Sequence, residues 1–175
     1  MNQKSLAIIT ARGGSKRIPR KNIKDFCGKP IMAYSIEAAL EAGCFDTVMV
    51  STDDEEIAQI AKKYGAEVPF LRSERTAGDF ATTADVLMEV FEEYEKRGEK
   101  FDHAACIYPT APFVTAQKLK AGMSLLQEKQ GTMLMPVVAF SFPPQRGVVK
   151  KGEFLEFCYP QYRNSRSQDL ETMYH

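Results

Sequence analysis

Leu6-Ala-Ile-Ile-Thr10 runs straight into Ala11-Arg-Gly-Gly-Ser-Lys-Arg-Ile-Pro-Arg-Lys-Asn22, and this junction decides the fold. The apolar run suits a short strand buried on both faces, as in a parallel sheet. The loop after it is rich in glycine and in basic side chains. Ile31 to Ala42 then reads as a helix, entered after Pro30 and left at Gly43. Thr47-Val-Met-Val-Ser51 is a second strand. Thr52 or Asp53 can cap the next helix, whose first turn carries Asp54, Glu55 and Glu56 and whose core stripe is Ile57, Ile60, Ala61 and Tyr64. Glu67 to Leu71 is expected as a third strand and Thr83 to Arg97 as a helix with Leu87, Val90, Phe91 and Tyr94 on one face. His103 to Tyr108 is a fourth strand, Thr115 to Gln130 a helix, and Met133 to Val138 a fifth strand. Repeated alternation of strand and helix predicts a three-layer α/β/α, Rossmann-like domain with a mainly parallel sheet. Ligands of such sheets bind beyond the carboxyl ends of the strands. The basic loop, Thr52-Asp53-Asp54 and Pro109-Thr110-Ala111-Pro112 all lie there.

Residues 1–139 are assigned to this core. From Phe140 to His175 the chain turns aromatic and Pro-rich, with a Gly-turned hairpin expected over Val148 to Phe157. This stretch is expected to be an excursion that covers the site or pairs with another subunit, which makes a homodimer the expected assembly.

Of 175 residues, 44% are apolar and 26% charged, the balance of a globular domain rather than a disordered chain. The 23 basic and 23 acidic residues cancel, which argues against a general nucleic-acid binder. No stretch is long and apolar enough to span a membrane, and the four-residue apolar run near the N-terminus is too short for a signal peptide. Cys27, Cys44, Cys106 and Cys158 are widely spaced and only two histidines are present, so a structural zinc site is not supported. Reduced thiols in a cytoplasmic protein are expected.

The zero total hides a segregation. Arg12, Lys16, Arg17, Arg20, Lys21, Lys24 and Lys29 lie within one stretch that holds a single acid, Asp25. The stretch from Glu37 to Ile60 holds seven acids and no Lys or Arg. Adjacent glycines let a backbone approach a ligand and aim N–H groups at an anion. Neither the Walker A nor the dinucleotide glycine spacing is present. A phosphate loop and a solvated basic face both remain open on this reading. An RNA-binding face is disfavoured, because the loop lacks interleaved aromatics.

The same loop closely resembles the signature of the acylneuraminate cytidylyltransferases, which make CMP-activated nonulosonic acids. Gly28-Lys29-Pro30-Ile31, Ser51-Thr52-Asp53, Pro69-Phe70-Leu71-Arg72, Pro109-Thr110-Ala111-Pro112 and Arg163-Asn164-Ser165-Arg166-Ser167-Gln168-Asp169-Leu170 match in order. The resemblance covers essentially the whole chain. Tyr108 before Pro-Thr-Ala-Pro, with the Arg166 to Leu170 run, resembles the branch acting on pseudaminic acid; sialic and legionaminic acids are the alternatives. The resemblance implies a nucleotide-diphospho-sugar transferase fold with a small dimerising excursion. It implies that CTP and a nine-carbon acidic sugar give a CMP-sugar and pyrophosphate, with magnesium.

On that resemblance Arg12 and Lys16 hold the phosphates, and Lys21 and Asn22 order nucleotide and loop. Ala11, Gly13, Gly14 and Ser15 complete the cradle, Arg72 contacts nucleotide, and Thr82 or Thr83 contacts base or ribose. Tyr108, Pro109 and Thr110 line the sugar pocket, and Arg166 and Gln168 meet the sugar. Each has a structural alternative: Arg72 paired with Glu74, Thr82 or Thr83 as a helix cap, Tyr108 as core filling, Arg166 in a subunit contact. Asp53 and Asp54 are expected to cap a helix rather than bind metal. Family members continue past His175 with a strand, a helix and the carboxylates that bind magnesium. The expectation from this is a chain with weak or no turnover, or one that only binds nucleotide.

Overall fold

The computed structural model describes residues 3–175. The chain divides into two compact units, Met1–Gly131 and Thr132–His175.

In the first unit β1 (Ser5–Thr10) leads through the basic loop and a 3-10 turn at Lys21–Ile23 to a small hairpin, β2 (Asp25–Phe26) and β3 (Lys29–Pro30). Its two-residue turn holds Cys27 at φ 52° and Gly28 at φ 93°, the backbone of a tight hairpin. Then come α1 (Ile31–Ala42), β4 (Thr47–Ser51), α2 (Glu55–Lys63), α3 (Glu74–Ala77), α4 (Thr83–Lys96), β5 (His103–Ile107) and α5 (Ala116–Glu128). The sheet order is β4-β1-β5, all parallel, with Ile8 beside Met49 on one side and Cys106 on the other.

Strand alternation sorts β1 into two cores. Ala7 and Ile9 join Val48 and Val50 against Met32 and Ile36 of α1 and Ile57 and Ala61 of α2, with Leu119 of α5 packed on the same cluster. Leu6, Ile8 and Met49 face the other way, onto Val90 and Tyr94 of α4. Phe70 and Phe101 close that second core edge-on to Tyr94, with ring centroids at 5.7 and 5.0 Å. Helices thus cover both faces of the sheet, the three layers predicted from the alternation. Burying each large apolar side chain contributes about 1.5–3 kcal/mol, and β1 has every residue from Ser5 to Ile9 buried.

Two expected strands do not form. Glu67 to Leu71 contributes a single parallel bridge, Glu67 to Met49. The Glu67 N–H donates to the Val48 carbonyl at 2.8 Å and the Glu67 carbonyl accepts from the Val50 N–H at 2.9 Å, and pairing then stops. Pro69 is the physical reason: it has no N–H to continue a ladder. Met133 to Val138 forms no strand and lies in the second unit. Pro136 interrupts it, and the chain pairs beyond it instead: Val138 and His175 exchange N–H···O bonds of 3.0 and 2.9 Å, and the Phe140 N–H reaches the Met173 carbonyl at 2.9 Å. The predicted hairpin is present as β6 (Val148–Lys151) and β7 (Phe154–Phe157), turning at Gly152 with φ 62°. Among the described residues no helix is long and apolar enough to cross a membrane, and all four cysteines are unpaired.

Candidate active site

Beyond the carboxyl ends of β1 and β5 lies an open cleft of about 240 Å³. Its lining draws on separate parts of the first unit: Arg12, Ser15, Lys21 and Asn22 from the basic loop, Arg72, Thr82 and Thr83 from around α3 and α4, and Tyr108, Pro109 and Thr110 from the end of β5. Ten of the residues expected at the site therefore converge. Ala11, Gly13, Gly14 and Lys16 flank the lining without forming it. Arg166 and Gln168 are outside it, in the second unit, where the Arg166 guanidinium is bonded to Asp169 at 2.7 and 3.2 Å.

The loop is anchored at several points. The Ala11 N–H continues the β1 ladder by donating to the Ser51 carbonyl at 2.9 Å. The Gly13 N–H donates to Asp53 at 2.8 Å, and the Ser15 N–H to the Gly13 carbonyl at 2.9 Å. These three donors are thus satisfied inside the protein. A Cβ at Gly13 would sit 2.7 Å from Asp54 Oδ2 and 2.9 Å from Asp54 Cβ, so lack of space, not backbone conformation, requires glycine there. Gly14 is open: a Cβ there would meet nothing within 4 Å.

Asp54 ties the loop to α2. It accepts from the Ile57 N–H at 3.0 Å and so caps the helix, in place of Thr52 or Asp53, the expected caps. It also binds the Arg20 guanidinium, whose other contact is Glu56. Arg20 holds the Asp54 carboxyl below the usual carboxylate range. Arg20 itself sits at φ 53°, a left-handed backbone for a residue with a long side chain.

Asn22 is buried, donates through Nδ2 to the Arg12 carbonyl at 2.8 Å, and leaves its buried Oδ1 without a partner among the described residues. Because it lines the cleft, this oxygen is a ready acceptor for a ligand donor. Arg72 is fixed to Ser51 by Nε–H and Nη2–H bonds of 2.8 Å each, to Oγ and to the carbonyl, rather than to Glu74. Burial pushes its guanidinium pKa down from the ordinary value. Lys21 has no carboxylate within ion-pair distance among the described residues. Thr82 does cap α4, in a reciprocal box with Asp85, and lines the cleft as well. Thr83 Oγ1 lies 3.5 Å from the Tyr108 hydroxyl. Tyr108 is 59% exposed, so it is not core filling; its carbonyl accepts from Ser35 Oγ at 2.9 Å, which pins the end of β5 to α1.

Asp79 was not anticipated. It lines the cleft and receives Arg12 Nη1 at 3.0 Å together with the Lys16 ammonium. Lys16, then Arg12, hold its carboxyl below the ordinary range. Its one trace in the sequence is that it is the sole acid between Arg75 and Ala84. Asp53, Asp54 and Asp79 all have protein partners. Among the described residues no group of three or more His, Cys, Asp or Glu side chains could hold a metal ion. The described residues do not make the magnesium site that the sequence resemblance implies.

Comparisons with known proteins agree with this architecture. A family model described as cytidylyltransferase matches residues 6–154. The pseudaminic acid cytidylyltransferase of Campylobacter jejuni is 43% identical over 98% of this chain and 75% of its own length. The CMP-N,N'-diacetyllegionaminic acid synthase of Legionella pneumophila is 33% identical over 86% of this chain and 66% of its own length. A solved CMP:2-keto-3-deoxy-manno-octonic acid synthetase in complex with CTP superposes with a TM-score of 0.69 over 98% of this chain and 71% of that one; at 22% identity, this likeness speaks to the fold. Strand order, the basic loop at the end of β1 and these similarities converge on one conclusion: the chain belongs to the cytidylyltransferase family.

Proposed function

We propose that the protein transfers CMP from CTP to a nonulosonic acid, with pseudaminic acid the preferred sugar, and releases pyrophosphate. The observation that carries this reading is the cleft itself, where Arg12, Lys21 and Arg72 converge from separate segments at the carboxyl end of a parallel sheet. Arg12, Lys16 and Lys21 bind the triphosphate, with Ser15 and the loop backbone around Gly13 and Gly14 shaping the cradle. Arg72 and Asn22 hold the nucleotide, and Thr82 and Thr83 meet its ribose or base. Tyr108, Pro109 and Thr110 form the sugar side, and the motif match assigns Arg166 and Gln168 to the sugar as well.

The anomeric hydroxyl of the sugar attacks the α-phosphorus in line. A new P–O bond forms, the bond to pyrophosphate breaks, and the hydroxyl proton passes to solvent. The protein forms no covalent intermediate, so its contribution is alignment and neutralisation of charge on the phosphates. The 43% identity to the Campylobacter protein supports the choice of sugar; the Legionella relative keeps legionaminic acid as the specific alternative. A homodimer and a cytoplasmic location, the latter in keeping with four unpaired cysteines, belong to the same proposal.

Pyrophosphate release is to be measured with CTP and each of pseudaminic, legionaminic and sialic acids. The highest kcat/KM is expected for pseudaminic acid, and a clear preference for another sugar rejects that choice. Thermal shift with CTP, UTP, ATP and GTP is expected to favour CTP. Absence of stabilisation by any of the four rejects the nucleotide site.

A further inference from the structure

Two of the loop's cations converge on one carboxylate in the cleft wall. Arg12 Nη1 reaches both Asp79 Oδ1 at 3.0 Å and the Gly78 carbonyl at 3.2 Å, while the Lys16 ammonium takes Asp79 Oδ2. Arg20 is different: its acids, Asp54 at the cap of α2 and Glu56 in its first turn, do not line the cleft. Asp79 sits in the short turn between α3 and α4, with its side chain 37% exposed, accessible to solvent and to an entering anion.

We propose that Asp79 is an internal counter-anion of the phosphate loop, which yields Arg12 and Lys16 to the triphosphate and takes them back as pyrophosphate leaves. The proposal rests on the assignment of those two cations to the phosphates. A carboxylate and a polyphosphate cannot both occupy the contact positions of the same two cations, and like charges a few ångströms apart repel. Asp79 therefore opposes phosphate binding. In exchange, two positive side chains are never left facing each other unneutralised, and the release of pyrophosphate is assisted because a replacement anion is already tethered beside it. Asp79 is thus a positioning residue, acting through Arg12 and Lys16.

The test compares the wild-type protein with Asp79→Asn, which keeps the shape and removes the charge, with Asp79→Ser as a second uncharged variant, and with Asp79→Glu, which keeps the charge. Titration calorimetry with pyrophosphate, CTP and cytidine reads the affinities, and circular dichroism verifies the fold. Both uncharged variants are expected to bind pyrophosphate and CTP about 3- to 10-fold more tightly, the range that two exposed ion pairs supply. Cytidine affinity should not change, and Asp79→Glu should follow the wild type. In turnover, the uncharged variants should show a lower KM for CTP and stronger product inhibition by pyrophosphate. Unchanged or weaker pyrophosphate binding in folded uncharged variants, with the wild type still binding, overturns the counter-anion role alone. Failure of the wild type to bind either phosphate ligand overturns the phosphate site and the counter-anion together.

Discussion

At the scale of single residues, Arg12 is expected to carry the largest functional effect. Arg12→Ala removes a preorganised donor and should lower kcat/KM by about 10²-fold in a pyrophosphate-release assay; a wild-type rate would reject its place on the phosphates. Tyr94 gives a contrasting case. Its ring fills the core beneath Ile8 and Met49, but its buried hydroxyl has no partner among the described residues. Burial pushes the phenol pKa well above its usual value, which keeps the group neutral and leaves an unsatisfied dipole. Tyr94→Phe should therefore keep or raise stability, by up to about 1 kcal/mol in urea unfolding; a loss of more than that would mean the hydroxyl has a partner. Arg12, Lys21 and Asn22 are recognisable from the loop's composition and motif. Asp79 is not, because its meaning depends on where the α3–α4 turn places it, and nothing in Gly78-Asp79-Phe80 alone distinguishes it from a solvated acid.

At the scale of elements, Asp54 links α2 to the basic loop. It caps the helix through the Ile57 N–H, binds Arg20, and packs against Gly13. Because Arg20 lowers the Asp54 pKa in the fold, the carboxylate contributes stability that is fully present above its unfolded pKa of about 3.9 and is lost as pH falls through the lower folded value. The melting-temperature gap between wild type and Asp54→Asn should thus be constant from about pH 5 upward and shrink below about pH 4. A gap that is the same at pH 3 and pH 7 would show that the charge is not what holds the loop. Helix ends were legible in the sequence to within a residue or two: α1 runs over Ile31–Ala42 as expected, with Gly43 at φ 62° after it, and Thr82 caps α4, whereas Thr115, expected inside α5, caps it, and α2 is capped by Asp54 instead of Thr52 or Asp53. Strand runs were less so. Glu67 to Leu71 and Met133 to Val138 have strand-like composition, yet each holds a proline, and pairing depends on a partner edge that composition does not reveal.

At the scale of the whole molecule, the two units differ in how they are held. β1 is buried and hydrogen-bonded on both sides, whereas β6 and β7 form a two-stranded ribbon with most of its side chains exposed. An isolated hairpin is marginal in water, and local opening follows shallow burial. Amide exchange should therefore be slowest in β1 and its partners and faster by orders of magnitude in Val148–Lys151; equal protection would show that the ribbon is covered in solution. Order along the chain determined the layered α/β class, the basic loop at the end of the first strand and the family, because periodicity, caps and a contiguous motif are local properties. Only the tertiary structure decided which cations face the cleft, that Arg72 is anchored to Ser51, that Gly13 is required by the side chain of Asp54, and that Asp79 neutralises Arg12 and Lys16. Those partners lie from 21 to 67 positions apart, and Coulomb and packing forces act on distance in space, which a linear sequence does not contain until the chain has folded.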